Sequence, residues 1–270
     1  MSLVHTFPPP PKIVFIVPYR DREQHRLFFS RHMAYIMEDY LEGEYKILFI
    51  HQCDSRSFNR GAMKNIGFLM VRELYPNDYS TITLVFNDVD TMPFSKGFLQ
   101  YETVPGKVKH FYGFTFALGG IVSMTAGDFE KVNGFPNFWA WGYEDNLLNY
   151  RVKILHGLEI DRSQFYPIRD KSMMHFGDGV ERTVNRKEFD RYKGETREGI
   201  DSITDLEYEL DSATGMVHVR RFQTGVEEDL SNRAVHDIRS GPRPYGDSVG
   251  KNAVGMGRVK KFMPMTMMRR

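Results

Sequence analysis

Three short apolar runs, separated by segments with helical spacing, fill roughly the first third of the chain and limit the folds open to it. The runs are residues 12–18, 45–50 and 81–86, and they are rich in the β-branched and aromatic residues that buried parallel strands favour. Residues 23–41 and 58–74 between them repeat apolar side chains at helical intervals. This alternation predicts right-handed crossovers and a Rossmann-like α/β fold.

Beyond residue 112 the pattern is less regular, with helices predicted at 125–132 and 144–155 and a hairpin at 207–221. We expect an N-terminal extension at 1–11 and a single α/β domain at 12–226, in which helices flank a mixed central sheet. The basic segment 227–270 is rich in Gly, Pro, Ser and Arg and lacks apolar periodicity, so it is predicted to be disordered.

Two acids follow the third apolar run directly, in Phe86-Asn87-Asp88-Val89-Asp90-Thr91. Open α/β sheets bind ligands where their strands end. In the turn where the strand ends, one acid of the pair can bind a divalent cation directly, so we assign Asp90 to the cation and leave Asp88 for a ribose or a basic side chain. Taken alone, the pair is explained equally well by a solvated, capped turn.

A second acidic segment contains both tryptophans of the chain, in Phe138-Trp139-Ala140-Trp141-Gly142-Tyr143-Glu144-Asp145-Asn146. An apolar wall raises the pKa of a carboxylate and suits it to accept a proton from a hydroxyl. An aromatic core cluster before a helix with acids in its first turn explains the segment at least as well. Arg20 and Arg22, after the first run, suit a diphosphate or else pair with neighbouring acids at the surface.

Composition narrows the possible partners. The 270 residues include 36 basic and 35 acidic side chains, so a net charge of +1 gives no overall attraction to nucleic acid or an anionic membrane. Cys53 is the only cysteine, which excludes an intrachain disulfide. No apolar stretch predicts a signal peptide or a membrane segment. A soluble protein is therefore expected, with a cytoplasmic location favoured over the Golgi lumen, while the oligomeric state is left open.

The motifs of residues 12–224, taken in order, resemble those of the β-1,4-galactosyltransferase family. Residues 17–22 and 58–61 resemble its two nucleotide-binding segments and residues 88–90 its metal motif. Further matches are Gly119-Gly120, Asn133-Gly134-Phe135-Pro136-Asn137, residues 139–145, residues 189–191 and residues 199–203. The resemblance implies a GT-A fold and inverting, Mn2+-dependent transfer of a hexose from UDP-galactose or UDP-N-acetylgalactosamine to a glycan hydroxyl.

The resemblance also implies roles for individual residues. Asp145 is the base and Glu144 its neighbour that holds sugar hydroxyls, while the metal ligands are Asp90, His175 and, in one branch of the family, Met173. The implied donor contacts are Pro18, Tyr19, Arg20, Arg22, Phe58, Arg60, Asp88, Val89, Ala117, Gly119, Gly120 and Trp141. The implied acceptor contacts are Trp141, Gly142, Glu144, Asp145, Asn146 and Phe189.

Several residues depart from the family pattern. Asn146 replaces an acid, and Ser172 replaces the Met that commonly stands three residues before His175. Ala117 occupies the place of a bulky Tyr that favours galactose, so there is room for an N-acetyl group. Glu188 replaces an Arg before the acceptor-loop Phe, so N-acetylglucosamine is not assured as the acceptor.

Other classes of function stay open at this stage. A phosphatase of the haloacid dehalogenase type would use Asp88 as nucleophile, with Thr91 fitting its motif, but leaves both tryptophans without a role. A catalytically silent glycan-binding protein would keep the fold and lose the base or the metal. A nucleic-acid-binding role would depend on the basic tail, which has few interleaved aromatic residues, and it is disfavoured.

Overall fold

The computed structural model describes residues 9–177, 179–241 and 243–245. The strands are β1 (Ile13–Tyr19), β2 (Tyr45–Gln52), β3 (Thr83–Asn87), β4 (Thr91–Pro93), β5 (Lys107–Gly113), β6 (Ile121–Thr125), β7 (Glu159–Asp161), β8 (Tyr166–Pro167), β9 (Met173–His175), β10 (Glu181–Asn185), β11 (Thr204–Asp211), β12 (Met216–Gln223) and β13 (Arg233–Asp237). The α-helices are α1 (Glu23–Ile36), α2 (Arg60–Leu74), α3 (Ala126–Lys131), α4 (Glu144–Tyr150) and α5 (Arg186–Gly194). A π-helical segment, Arg151–Leu155, continues α4. The 3-10 turns are Tyr79–Thr81, Ile200–Ser202, Leu230–Asn232 and Ile238–Ser240.

A mixed sheet forms the centre of the described part of the chain. Its strand order is β11-β12-β2-β1-β3-β6-β5-β7, and β8 also pairs with β5. β1 runs parallel to both β2 and β3, whereas β6 is antiparallel to β3. The predicted fold class, a Rossmann-like mixed sheet flanked by helices, is confirmed.

The central strand β1 is buried along its whole length because helices cover both faces of the sheet. Val14 and Ile16 pack into the apolar layer formed with α2, while Phe15 and Val17 pack into the layer formed with α1. This alternation follows from the period of two along a strand. A Cβ atom at Gly67 of α2 would lie 2.6 Å from Ile16, so glycine lets this helix approach the sheet closely.

Helix α1 is shorter than predicted and ends at Ile36 rather than near residue 41. It buries Phe29, Met33 and Ile36, a stripe with the spacing of one helical face. No helix among the residues described is long and apolar enough to cross a membrane.

The predicted disorder of residues 227–270 is wrong for the part of that segment around β13. Strand β13 pairs antiparallel with β10, with Val235 opposite Thr183. The sequence shows no apolar alternation here because most side chains of the strand are exposed. Backbone hydrogen bonds and polar contacts, rather than an apolar face, hold the strand in place. The rest of the predicted tail, residues 246–270, lies outside the described residues, as do residues 1–8 of the predicted N-terminal extension.

Candidate active site

Predicted site residues from both acidic segments meet near the end of β3. At the last residue of β3, the side-chain amide of Asn87 donates hydrogen bonds to the carbonyl oxygens of Asp88 and Thr91, both at 2.8 Å. These bonds hold the turn that carries Asp88 and Asp90. A buried asparagine therefore fixes the acidic pair at the end of the sheet that open α/β folds use for ligands.

Arg60, the first residue of α2, links the two acidic segments. Its guanidinium lies 2.6 Å from Oδ1 of Asp88 and 3.3 Å from Oε1 of Glu144. Burial alone would lower the pKa of Arg60, but Asp88, Glu144 and Asp145 together raise it well above its ordinary value. Burial would likewise raise the pKa of Asp88, yet Arg60 and Lys64 outweigh burial and lower it. Asp88 thus contacts a basic side chain, as predicted.

Lys64 holds the predicted base. Its side chain is only 2% exposed, and Nζ lies 3.1 Å from Oδ1 of Asp145 and 4.3 Å from the centre of the Phe135 ring. The other side of the carboxylate faces Gly119, where a Cβ atom would lie 2.2 Å from Oδ2. The backbone of Asp145 also accepts a hydrogen bond from the N–H of Leu118 at 2.9 Å. Asp145 is therefore fixed between α2 and the turn before β6.

Lys64 is a residue that the sequence reasoning missed. A signal for it was present, because Lys64 follows Arg60 by four residues on the predicted helix and both therefore lie on one face. Two cations on one helix face require anions opposite them when that face is buried.

Glu144 is buried, with only 3% of its surface exposed. One carboxylate oxygen faces Arg60, while the other, Oε2, is enclosed and has no hydrogen-bond partner among the residues described. Burial, and then the neighbouring Asp145, raise the pKa of Glu144. A buried carboxylate oxygen without a partner is suited to a hydroxyl supplied by a ligand.

The two predicted metal ligands come together through the pairing of β4 with β9. Thr91 stands opposite His175 in that pair, and the N–H of Phe176 donates to the carbonyl of Asp90 at 2.9 Å. As a result Nδ1 of His175 lies 3.9 Å from Oδ1 of Asp90, and the Thr91 hydroxyl contacts both groups. A carboxylate oxygen and an imidazole nitrogen at this separation fit a divalent ion such as Mn2+.

Burial and the nearby Asp88 carboxylate raise the pKa of Asp90, an effect that a bound cation would reverse. Met173, the third predicted ligand, lies two residues before His175 on β9 and so shares its face of the strand. Its side chain is buried in the apolar layer that also contains Met92 and Val17. Its role as a ligand stays a prediction.

Arg20 lines a depression of about 370 Å³ at the ends of β1 and β2, and Phe58 packs against Arg20. The Arg20 guanidinium lies 5.2 Å from the centre of the Phe58 ring and donates to the carbonyl of Arg56 at 2.6 Å. Burial lowers the pKa of Arg20. The lining residues of the depression are Arg20, Asp21, His51, Gln52, Cys53, Asp54, Ser55 and Arg56. Arg22 stands at the start of α1.

The two tryptophans have different environments. Trp139 is a core residue whose indole N–H donates to the carbonyl of Val226 at 2.8 Å and whose ring stacks on Phe222. Trp141 is partly exposed, and its ring stacks on His236 of β13 with centroids 6.2 Å apart. The structural explanation of this aromatic segment therefore holds for Trp139, while Trp141 remains available to a ligand.

The turn that joins Trp141 to α4 has an unusual backbone. Gly142 and Tyr143 have φ angles of 100° and 73°, in the region that favours glycine, so Tyr143 needs support from its surroundings. Its ring packs on Phe189 and Tyr192 at centroid distances of 5.0 and 4.9 Å. Phe189 is 1% exposed and supports this turn. Direct contact of Phe189 with an acceptor stays a prediction.

Several other predicted contacts are buried residues or have constrained backbones. The buried side chains among them are Pro18, Tyr19, Val89 and Ala117. Gly120 adopts a φ of 76°, and a Cβ there would lie 2.4 Å from the Tyr112 carbonyl. The amide of Asn146 donates to the carbonyl of Phe116 at 3.4 Å. The roles of these residues toward donor and acceptor stay predictions.

Comparison with known proteins agrees with this geometry. Residues 7–101 match the family model described as the N-terminal region of glycosyl transferase group 7, and residues 105–176 match the N-terminal domain of galactosyltransferase. These two ranges together make up more than half of the chain. They include the predicted nucleotide-binding segments, the acidic pair, Asp145 and His175.

Individual relatives support the same assignment. Mouse β-1,4-galactosyltransferase 5 is 30% identical over 206 residues, which are 73% of this chain and 51% of that protein. Mouse β-1,4-galactosyltransferase 4 is 31% identical over 161 residues, 56% of this chain and 45% of that protein. The chain thus spans about half the length of the curated relatives it matches.

Solved structures show the same fold. The catalytic domain of Drosophila β-1,4-galactosyltransferase 7 in complex with xylobiose superposes with a TM-score of 0.61 at 22% identity, over 80% of this chain and 95% of that one. A mutant of the Drosophila enzyme in complex with manganese, UDP-Gal and xylobiose gives a TM-score of 0.60 at 21% identity, with the same coverage. With its two family matches, its relatives and its fold, the chain belongs to the β-1,4-galactosyltransferase family.

Proposed function

We propose that this protein is an inverting glycosyltransferase that moves a hexose from a UDP-sugar to a glycan hydroxyl and forms a β linkage. The observation that carries the proposal is the position of Asp145. Lys64 and Gly119 confine its carboxylate beside the buried Glu144, at the end of the sheet where Asp90 and His175 also meet. The family membership of the chain and the names of its relatives support the same activity.

The side chains divide the work by their chemistry. Asp145 accepts the proton of the acceptor hydroxyl, since Lys64 holds one of its oxygens and leaves the carboxylate oriented. The unpaired oxygen of Glu144 accepts a hydrogen bond from a sugar hydroxyl, which satisfies a buried acceptor. Arg20 and Arg60 bring positive charge to the diphosphate side of the site.

Asp90 and His175 would hold Mn2+, with Met173 as the proposed third ligand. When bound, the ion supplies positive charge that stabilises the departing UDP. The Drosophila structure that contains manganese and UDP-Gal supports this choice of cation and donor.

We propose galactose as the transferred sugar and N-acetylgalactosamine as the alternative. The names of the relatives favour galactose. Ala117 favours the alternative, since its small side chain leaves room for an N-acetyl group. A glycan or glycoconjugate is the proposed acceptor. The comparisons do not support the expected cytoplasmic location.

The competing functions find less support. A phosphatase would need Asp88 as a free nucleophile, but its carboxylate is held by Arg60 at 2.6 Å. A silent glycan-binding protein would have no need for a base fixed by a buried lysine. Unlike a phosphatase or a silent glycan-binding protein, a transferase of this kind requires donor turnover that depends on Asp145 and Asp90.

The test measures Mn2+-dependent consumption of UDP-galactose and UDP-N-acetylgalactosamine with a panel of glycan acceptors. Asp145→Asn is expected to abolish transfer and to leave UDP binding nearly intact, while Asp90→Ala removes both activity and the Mn2+ requirement. Asp39→Asn, at an exposed acid, is the matched control and keeps wild-type turnover. Wild-type turnover in Asp145→Asn, or unchanged metal dependence in Asp90→Ala, contradicts the assignment.

A further inference from the structure

Three soft or borderline metal donors meet where β2 ends beside β12, away from Asp90 and His175. They are His51, Cys53 and His218, whose ligand atoms all lie within 4.8 Å of one another. The two histidines are partly buried and Cys53 is exposed, so the cluster is open to an ion from solvent. None of the three was assigned a role in the transferase site.

The sheet itself places these donors together. β2 and β12 are parallel neighbours, and His51 stands directly beside His218 in their register. Cys53 follows His51 by two residues and therefore returns to the same face of the sheet. Its backbone N–H donates to the carbonyl of Val219 at 3.0 Å, which keeps Cys53 in line with the strand pair. The arrangement is thus fixed by main-chain pairing rather than by flexible loops.

The distances match the edges of a tetrahedral site. Nδ1 of His51 lies 3.3 Å from Nδ1 of His218 and 3.6 Å from Sγ of Cys53. Zinc bonds of about 2.0–2.1 Å to nitrogen and about 2.3 Å to sulfur, at tetrahedral angles, require edges of about 3.3 Å between two nitrogens and about 3.6 Å between nitrogen and sulfur. The two edges that meet at His51 therefore already have the lengths that a zinc ion imposes, while the third edge, between His218 and Cys53, is within 4.8 Å and needs at most a small side-chain adjustment.

The surroundings leave room for a fourth ligand. His51 and Cys53 line the depression at the end of β1 and β2, together with the carboxylates of Asp21 and Asp54. The Asp54 carboxylate is already held by Arg56 and Gln52, so a water molecule or the exposed Asp21 can complete the tetrahedron, as in zinc sites with three protein ligands. The nearby acids also offset the positive charge of Arg20 in the same depression.

We propose that His51, Cys53 and His218 form a binding site for Zn2+, distinct from the site assigned to Mn2+. One thiolate and two imidazoles select a zinc-like ion over Mn2+ or Mg2+, which favour oxygen ligands. The inference depends on the pairing of β2 with β12 and not on the transferase activity, so either can fail without the other.

The test uses the untagged, reduced full-length chain with Co2+ as a spectroscopic probe, followed by Zn2+. Cys53 is the only cysteine, so a thiolate-to-cobalt charge-transfer band can arise from this site alone. We expect the band to appear at one equivalent of Co2+, to disappear on addition of Zn2+, and to be absent in Cys53→Ser. His175→Ala, which changes the proposed Mn2+ site, keeps the band.

Further measurements distinguish the loss of a zinc ligand from the loss of folded structure in a variant. His51→Ala and His218→Ala are each expected to weaken Zn2+ affinity by at least about tenfold, the lower end of the loss caused by removing even an outer-shell partner. Bound Zn2+ should also slow alkylation of Cys53 in the wild-type protein, whose fold is unchanged. Absence of the band with unchanged alkylation, or equal Zn2+ affinity in wild type and His218→Ala, overturns the proposal.

Discussion

Nζ of Lys64 lies 3.1 Å from Oδ1 of Asp145, although the two residues are 81 positions apart in the sequence. The lysine is almost wholly buried, whereas the Asp145 side chain is 21% exposed. An ion pair of this kind contributes little net stability but leaves a costly unpaired charge when one partner is removed. In the proposed function, this pair orients the carboxylate of Asp145 as the base.

We expect Lys64→Met to lower the free energy of unfolding by about 1–3 kcal/mol. This loss is smaller than the loss on breaking a wholly buried ion pair, because Asp145 is partly exposed. The double variant Lys64→Met with Asp145→Asn should recover part of that loss, since no unpaired carboxylate remains. Urea unfolding of the single and double variants measures the coupling. Lys96→Met, in an exposed pair with Glu38, is the control and should lose less than about 1 kcal/mol. Strictly additive effects of Lys64 and Asp145 would show that the pair is not coupled.

Gly119→Ala should damage transfer without unfolding the protein. The added Cβ would lie 2.2 Å from Oδ2 and 2.6 Å from Cγ of Asp145, so the carboxylate has to move. A displacement of about 1 Å in a reacting group can cost about 100-fold in rate, and we expect a loss of that order in steady-state transfer assays. Gly194→Ala, whose Cβ meets nothing within 4 Å, is the control and should keep full activity. Normal turnover in Gly119→Ala would mean that Asp145 need not hold this position.

Much of the fold could be predicted because its signals are local. β1 begins and ends one residue from the predicted run, since every one of its side chains is buried and the sequence there is continuously apolar. The acidic turn after β3 was placed correctly for the same reason, because it follows a buried strand directly.

The features that were missed depend on contacts between distant segments. The spacing of Lys64 from Arg60 indicates a cationic helix face, but the partner of Lys64 is defined only when α2 meets the start of α4. β13 was missed because its side chains are mostly exposed, so it has no apolar alternation to detect. Trp139 and Trp141 are two residues apart and similar in sequence context. Trp139 is nevertheless buried against Phe222, whereas Trp141 is partly exposed.

The stability of the protein should depend on Glu188 in a pH-dependent way. This side chain is buried at the start of α5, and burial raises its pKa to about 7 despite the ion pair with Arg191. Because the folded-state pKa is above the unfolded value of 4.5, the folded state binds the proton more tightly. The free energy of unfolding therefore falls as the pH rises from about 4.5 to about 7, and the whole decrease is present above that range.

Glu188→Gln removes this titration. Relative to wild type, the variant should gain up to about 3 kcal/mol of unfolding free energy between pH 5 and pH 8, since one pKa unit corresponds to about 1.4 kcal/mol. Chemical denaturation at several pH values measures the difference. Glu207→Gln, at an exposed glutamate paired with Arg221, should show a difference from wild type that is nearly flat with pH. If the difference between Glu188→Gln and wild type is also flat with pH, Glu188 is not a group with a raised pKa in the folded protein.

The stacking of His236 on Trp141 predicts that β13 contributes to acceptor binding. The rings are nearly parallel, with an interplanar angle of 23°, and the backbone N–H of Trp141 donates to Thr183 of the paired strand β10 at 2.9 Å. Both strands of this pair therefore hold the tryptophan that is expected to shape the acceptor platform. Removing the His236 ring should loosen Trp141 and leave the core residue Trp139 unaffected.

We expect His236→Ala to raise the KM for the acceptor by about 2- to 12-fold, the equivalent of the 0.5–1.5 kcal/mol typical of an aromatic pair, with little effect on the KM for the UDP-sugar. Val235→Ala, on the neighbouring and 71% exposed side chain of the same strand, is the matched control and should leave both constants unchanged. Tryptophan fluorescence provides an independent readout, because Trp141 is the more exposed of the two tryptophans and its emission should shift in His236→Ala alone. Equal kinetics and equal emission in the two variants would place β13 outside the acceptor platform, since a purely structural strand would respond alike to both substitutions.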